Sequence, residues 1–162
     1  MRIVVISDSH RKYSAVEKII RAQPEAQHIF FLGDVTSDIE DLVFEYPDKK
    51  FYIVSGNCDF NSSYSYSDIA KIGDISIFYT HGHSFGVKST TARLAAAARE
   101  RGCKIALYGH THIPYISYDD GLYIVNPGSC SSSRGGPNSY AVIDITEKGI
   151  MPIIMPLTTK SL

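Results

Sequence analysis

The sequence lacks nearly everything that would place it in a membrane, along a nucleic acid or outside the cell. No stretch approaches the roughly 18 apolar residues that a spanning helix needs. The opening run Met1-Arg2-Ile3-Val4-Val5-Ile6 meets Ser7-Asp8 before the apolar core of a secretion signal is complete, so it reads as a first strand. Positive charge is not in excess: 16 Lys and Arg, scattered along the chain, stand against 17 Asp and Glu, which leaves no electrostatic footprint for extended nucleic acid. Three cysteines, Cys58, Cys103 and Cys130, are an odd and widely spaced set without a C-x-x-C pair. That usage fits a reducing compartment better than a disulfide framework, and the cytoplasm is the expected location. Internal repeats, linkers and low-complexity tracts are absent too, so residues 1–162 are expected to form a single domain. A chain of this length buries roughly 70% of its unfolded surface and needs no staples. The final Lys160-Ser161-Leu162 carries the letters of a peroxisomal address in the wrong order.

What is present is a repeated pairing of an apolar run with a polar motif. Ile3-Val4-Val5-Ile6 leads into Asp8-Ser9-His10, and Ile29-Phe30-Phe31-Leu32 leads into Gly33-Asp34. Phe51-Tyr52-Ile53-Val54 leads into Gly56-Asn57-Cys58-Asp59, residues 75–79 lead into His81-Gly82-His83, and residues 105–108 lead into Gly109-His110-Thr111-His112. Five of the six histidines lie in these motifs. Open α/β sheets bind ligands at the carboxyl ends of their strands, so one sheet edge can gather them all.

The runs at 2–6, 29–32 and 51–54 are continuous rather than alternating, as in strands covered on both faces. Between the first two, Val16, Ile19 and Ile20 have helical spacing, with Ser14 as the N-cap, Glu17 three residues on and Pro24 beyond the end. Residues 37–45 predict a second helix, and residues 88–101 predict a third that stops at Gly102. Residues 61–67, dominated by Ser, Tyr and Asn, predict a loop over the active edge. From 115 to 155 the pattern changes to short strands, with Asp119-Asp120-Gly121 as a hairpin signal. Alternating β and α elements followed by a β meander predict two sheets packed face to face with helices outside.

Asp8 and His10 are one residue apart, a spacing that in an extended loop directs both side chains toward one ion. His110-x-His112 repeats it with two imidazoles, which ligate as neutral nitrogens. Gly33 allows close backbone approach beside Asp34, whose carboxylate has two oxygens with which to bridge two cations, and Asn57 offers a neutral amide oxygen. Each motif has an ordinary reading as well: aspartates after strands cap helices and turns, and Gly-Asp and Gly-Asn form turns. Their joint occurrence at strand ends favours the metal. Oxygen and nitrogen donors without an essential thiolate suit Mn, Fe, Zn, Co or Ni, and suit Ca poorly. Two ions roughly 3.5–4 Å apart activate water and offset the charge of a phosphoryl transition state. Two aspartates against two dications leave a positive pocket that favours a phosphate anion.

In their order, Asp8-x-His10, Gly33-Asp34, Gly56-Asn57, His81-Gly82-His83 and Gly109-His110-Thr111-His112 resemble the signature of the calcineurin-like metallophosphoesterases. The chain length and the Asn126-Pro127-Gly128-Ser129 turn are similar to the compact stand-alone phosphodiesterases of that family, and the match spans about residues 1–130. The resemblance implies an α/β fold, a four-layer α/β/β/α sandwich of two packed mixed sheets with flanking helices. It also implies a first metal on Asp8, His10 and His112, a second on Asn57, His81 and His110, Asp34 bridging both, and a bridging hydroxide as nucleophile. Two divalent transition ions are expected, manganese first, with Ni, Fe, Zn and Co as the other candidates.

The expected reaction is hydrolysis of a small phosphate diester. The alternatives are a phosphomonoesterase or nucleotide phosphatase, and a non-catalytic metal-binding scaffold of the same fold such as the small subunit of the retromer coat. Those scaffolds have lost metal-binding histidines, whereas all seven ligand positions stand here. One position departs from the family pattern: many members have histidine directly after the asparagine, and this chain has Cys58. A thiol of reference pKa about 8.5 is a poorer acid than imidazolium, so slow turnover and a bias toward good leaving groups are expected; a packed residue without a role is the alternative. Asp34, Asn57, Cys58 and His83 are the expected catalytic contributors, His83 by orienting His81 or meeting substrate, with a satisfied structural histidine as its alternative. Asp59 is expected to cap the next turn, with a bond to a ligand histidine as the alternative. Arg134 is expected to be a solvated loop residue, with contact to a phosphate oxygen as the alternative. Tyr64 and Tyr66 are expected to be partly exposed, with walling the site against a base or an aryl leaving group as the alternative. A homodimer is compatible with the resemblance, and no membrane partner is expected.

Overall fold

The continuous apolar runs become central strands because both of their faces are covered. In a computed structural model that describes residues 1–158, β1 (Arg2–Ile6), β2 (His28–Phe31) and β3 (Lys50–Ile53) lie parallel in a five-stranded sheet. β9 (Ser139–Thr146) and β10 (Gly149–Pro156) extend it antiparallel, in the order β10-β9-β1-β2-β3. The second sheet has the order β4-β5-β6-β8-β7, formed by β4 (Ser67–Ile72), β5 (Ile75–Thr80), β6 (Ile105–Leu107), β7 (Pro114–Asp119) and β8 (Leu122–Pro127). Its central β5, β6 and β8 are parallel, so both sheets are mixed. The Lys160-Ser161-Leu162 terminus lies outside the described residues.

Alternation along each strand divides the core into three layers. Ile3, Val5, Phe30 and Leu32 face the second sheet and pack on Ile77, Tyr79, Ile105 and Leu107. Val4, Ile6, Ile29 and Phe31 face outward under Val16, Ile19 and Ile20 of α1 (Tyr13–Ala22) and Ile39 and Leu42 of α2 (Ser37–Glu45). Phe78, Ala106 and Ile124 cover the other outer face under Leu94 and Ala98 of α3 (Ala92–Glu100). Each fully buried Ile, Leu or Phe contributes about 1.5–3 kcal/mol, which fixes the two sheets against each other and with them the loops at their common edge. The four-layer α/β/β/α sandwich is the observed architecture.

Three local expectations need correction. Residues 67–72, passed over in the sequence, form the edge strand β4, paired antiparallel to β5 across Gly73-Asp74. Only Ala70 and Ile72 of that strand are buried, so its apolar signal is too thin to read. The third helix starts at Ala92 rather than 88, because His83–Phe85 forms a 3₁₀ turn and Gly86 takes φ 67° before the Ser-Thr-Thr segment. Ser14 lies inside α1; Lys12 precedes the helix and its carbonyl accepts the Ala15 and Val16 N–H groups at 2.9 and 3.4 Å without side-chain capping.

Candidate metal centre

Loops that follow β1, β2, β3, β5 and β6 bring their polar side chains together. Asp8, His10, Asp34 and His112 each place one donor atom within 4.8 Å of the others. His10 Nε2 and His112 Nε2 are 3.1 Å apart, His112 Nε2 is 3.1 Å from Asp8 Oδ1, and His10 Nε2 is 3.8 Å from Asp34 Oδ2. Beside this group His81 Nε2 lies 3.1 Å from Asn57 Oδ1, 3.2 Å from His110 Nδ1 and 3.4 Å from Asp34 Oδ2. Asp34 therefore stands between two sets of donors. Asp8, Asp34, His81 and His112 are buried, while His10 and His110 are half-buried and Asn57 opens to solvent.

The backbone that achieves this is not the extended loop the sequence suggested. Asp8 (φ 55°), His10 (44°), Asp34 (62°), His110 (68°) and His112 (61°) are all left-handed, and β-branched Val35 sits at 81°. Each costs roughly 1–2 kcal/mol relative to the ordinary conformation, and such strain gathers at functional sites.

Hydrogen bonds hold these loops in place. The Asp59 carboxylate accepts the N–H groups of Asp34 (2.9 Å), Val35 (2.9 Å), Thr36 (2.8 Å) and Gly56 (2.7 Å), so it clamps the turn that enters α2 and bonds no ligand histidine. Gly33, at φ 93°, and Gly56 let the two loops touch backbone to backbone; a Cβ on Gly56 would stand 2.6 Å from the Asp34 nitrogen. Ser7 Oγ and the His110 N–H both donate to Asp8 Oδ2, at 2.6 and 3.1 Å. Ser129 Oγ donates to the Asp8 carbonyl at 2.7 Å, and Asn126 Nδ2 donates to Gly109 O and Thr111 Oγ1 at 3.0 Å. The turn after β8 thereby ties the first motif to the last. Ser7, Asn126 and Ser129 escaped the sequence reading as positioning residues; Ser7 only borders the first motif, and the Asn126-Pro127-Gly128-Ser129 turn stood out for its resemblance and not for what it holds.

Second bonds set the imidazole tautomers. His81 Nδ1 lies 2.7 Å from the Leu32 carbonyl and His112 Nδ1 lies 2.8 Å from the Ser132 carbonyl. A carbonyl only accepts, so both Nδ1 atoms carry a proton and both Nε2 atoms face the site, where each can ligate once it gives up any proton it holds. Burial, helped by neighbouring His81, pushes His110 down to about 4, which keeps its ring neutral at neutral pH. Burial would raise the Asp8 carboxyl, but the close approach of His112 and His81 and the Ser7 hydroxyl outweigh it and hold it below its usual value. Asp8 Oδ1 is buried and accepts no hydrogen bond among the described residues, although three imidazole nitrogens stand within 4.0 Å of it. Unpaired buried carboxylate oxygen, facing imidazole nitrogens and a neutral amide oxygen form a donor set that a divalent cation satisfies.

Residues 1–148 match the calcineurin-like phosphoesterase superfamily domain. The chain belongs to that superfamily. Phosphodiesterase YfcE of Escherichia coli is 28% identical over 170 residues, covering 89% of this chain and 88% of YfcE. Vacuolar protein sorting-associated protein 29 of Schizosaccharomyces pombe is 30% identical over 150 residues, covering 89% and 78%. Among solved structures, a conserved uncharacterized protein from Streptococcus pneumoniae, described as a predicted phosphoesterase, superposes with a TM-score of 0.83 at 28% identity, covering 96% of this chain and 89% of that one. As a member of this phosphoesterase superfamily the chain carries a metallophosphoesterase fold, and Asp8, His10, Asp34 and His112 form a cluster with the spacing of metal ligands.

The remaining residues of interest flank that group. The Cys58 N–H donates to Asp34 Oδ1 at 3.0 Å, and its exposed thiol is pushed up by desolvation and by the Asp34 carboxylate. The His83 ring centroid lies 5.5 Å from that of His81 and 6.1 Å from that of His110, and Tyr66 meets it edge-on at 5.2 Å. His83 does not orient His81 through a hydrogen bond, since the Leu32 carbonyl occupies that nitrogen. Arg134 is exposed, and its main-chain N–H donates to the His112 carbonyl at 2.9 Å. Tyr64 is half-buried and Tyr66 is 58% exposed. No helix among the described residues is long and apolar enough to cross a membrane.

Proposed function

We propose that this protein hydrolyses a small phosphate diester at a two-ion centre. The observation that carries the proposal is the convergence of seven donor side chains from both sheets into two sets that share Asp34. Asp8, His10 and His112 would hold one ion and Asn57, His81 and His110 the other, with Asp34 between them. Bound there, two divalent cations supply Lewis-acid activation of water and charge neutralisation on the phosphoryl oxygens.

The chain's own residues prepare the site for that chemistry. The Leu32 and Ser132 carbonyls aim two histidines. Asp59 and the Cys58 N–H fix Asp34. With only Asp8 and Asp34 as carboxylates in the donor sets, the loaded pocket keeps a positive charge for an anionic ester. Cys58 and His83 border the reacting phosphate, and a thiol whose pKa is raised gives a leaving oxygen little protonation. Diesters with good leaving groups suit such a site. Manganese is the first choice of ion; Ni, Fe, Zn and Co offer the same preference for nitrogen and oxygen. Among the described residues Cys58, Cys103 and Cys130 are all free, in keeping with a reducing, cytoplasmic setting.

The likeness to vacuolar protein sorting-associated protein 29 favours a second reading, a metal-binding scaffold without turnover. Chelator-stripped protein given Mn, Ni, Co or Zn singly separates the two, with bis-p-nitrophenyl phosphate and p-nitrophenyl phosphate as substrates. Metal-restored hydrolysis that favours the diester supports the first reading. Bound metal without hydrolysis of either ester supports the scaffold.

A further inference from the structure

A groove of about 380 Å³ opens beside the centre, between α2 and the loop after β3. Its volume lies within the roughly 300–1,000 Å³ of small-molecule pockets. Val35 and Cys58, the neighbours of Asp34 through chain and hydrogen bond, are part of its lining. Arg11, Glu40 and Phe60 line the rest. Phe60 is 81% exposed, so packing does not account for an aromatic ring at that position. Arg11 is exposed, forms no ion pair among the described residues and sits at φ 68°, where glycine would be at ease and a side chain is disfavoured. A cation held in that conformation one residue after His10, in the wall of a groove beside the proposed site for an anionic ester, points to use on substrate.

We propose that this groove is the leaving-group subsite, and that it accepts a ring-bearing, hydroxylated alcohol esterified to the phosphate. Phe60 stacks on the ring, Glu40 accepts a hydroxyl, and Arg11 draws the anionic ester to the mouth. In the step served, the oxygen of water bonds to phosphorus. The P–O bond to the ring-bearing group breaks with its electron pair on that oxygen, and the proton released by water ends on the leaving oxygen or in solvent. Cys58, in the groove wall, then lies on the side from which this group departs. The inference rests on the phosphodiesterase reading, and its test keeps the two apart.

Phenylphosphonate and methylphosphonate are titrated calorimetrically into the metal-loaded wild type, Phe60→Ala and Arg11→Gly. KM and kcat are measured with methyl p-nitrophenyl phosphate, whose ring is on the leaving side. Phe60→Ala should weaken phenylphosphonate about three- to tenfold, the size of one aromatic contact, and leave methylphosphonate unchanged. KM for the methyl aryl diester should rise by a similar factor at nearly constant kcat. Arg11→Gly should weaken both phosphonates at low salt, and the difference should vanish near 1 M salt, where the screening length is about 3 Å. A phenyl-to-methyl preference equal in wild type and Phe60→Ala overturns the subsite. A Phe60→Ala defect seen with bis-p-nitrophenyl phosphate but not with the methyl aryl diester puts the ring on the retained side and overturns the leaving-group assignment. Phosphonate binding without hydrolysis of any diester by the wild type removes the phosphodiesterase reading and this role with it.

Discussion

Replacing Asp59 by asparagine tests whether one side chain outside the donor sets holds the centre together. Its two oxygens each serve two main-chain donors: Oδ2 takes Asp34 and Gly56, and Oδ1 takes Val35 and Thr36. Asparagine keeps one oxygen and turns an NH₂ group toward the other pair of N–H groups, so two bonds are lost and the carboxylate charge goes. Hydrogen bonds to charged groups contribute about 1.5–3 kcal/mol each, which gives a ceiling of roughly 3–6 kcal/mol. Asp59 is half-buried, so water recovers part of it, and about 2–3 kcal/mol is the expected loss. Guanidinium unfolding of metal-free protein reads this as a lower midpoint at constant slope. The freed loop carries Asp34 and the strained Val35, so metal affinity should fall about 10–100-fold, as for other residues that orient ligands. A stability change under about 0.5 kcal/mol together with unaltered metal affinity would refute the clamp.

Gly56→Ala drives a Cβ into the Asp34 main chain and carboxylate, and should abolish diester hydrolysis while circular dichroism keeps its native form. His110 is held down to about 4 against an ordinary 6.5, so the unfolded chain takes up its proton first. Metal-free wild type should therefore lose stability as pH falls from about 6.5 toward 4, and His110→Gln should lose less over that window in denaturant titrations. Equal pH slopes would contradict the neutral buried ring. Cys58→His places an imidazolium where a thiol of raised pKa stands, and should increase turnover of diesters with poor leaving groups at unchanged metal content. An unchanged or lower rate would assign Cys58 no part in leaving-group departure.

Much of this architecture was legible because burial on both faces leaves continuous Val, Ile and Phe runs, and every donor motif follows such a run. β4 was not legible, since an edge strand that buries only Ala70 and Ile72 looks like a loop. The start of α3 was missed because Gly86 and the Ser-Thr-Thr segment interrupt a pattern that composition alone reads as helical. At the site, residue types and order singled out the side chains that the fold brings together. The left-handed conformation of Asp8, His10, Asp34, His110 and His112 leaves only a weak sequence signal, because no glycine marks those five positions and the enrichment of Asp and His in that region is modest. Nor could local sequence pair Ser129 with Asp8 across 121 residues, or show Asp59 bonding four amides instead of a histidine. Such contacts exist only once both sheets are in register.

The most direct measurement counts bound metal per chain by plasma mass spectrometry while bis-p-nitrophenyl phosphate hydrolysis is followed through a manganese titration of stripped protein, beside Asp34→Asn. Two ions per chain, activity that requires both, and loss of both properties in Asp34→Asn are the predicted result. A folded chain that binds two ions yet leaves the diester intact, or one that cleaves it with no metal bound, would contradict the two-ion phosphodiesterase.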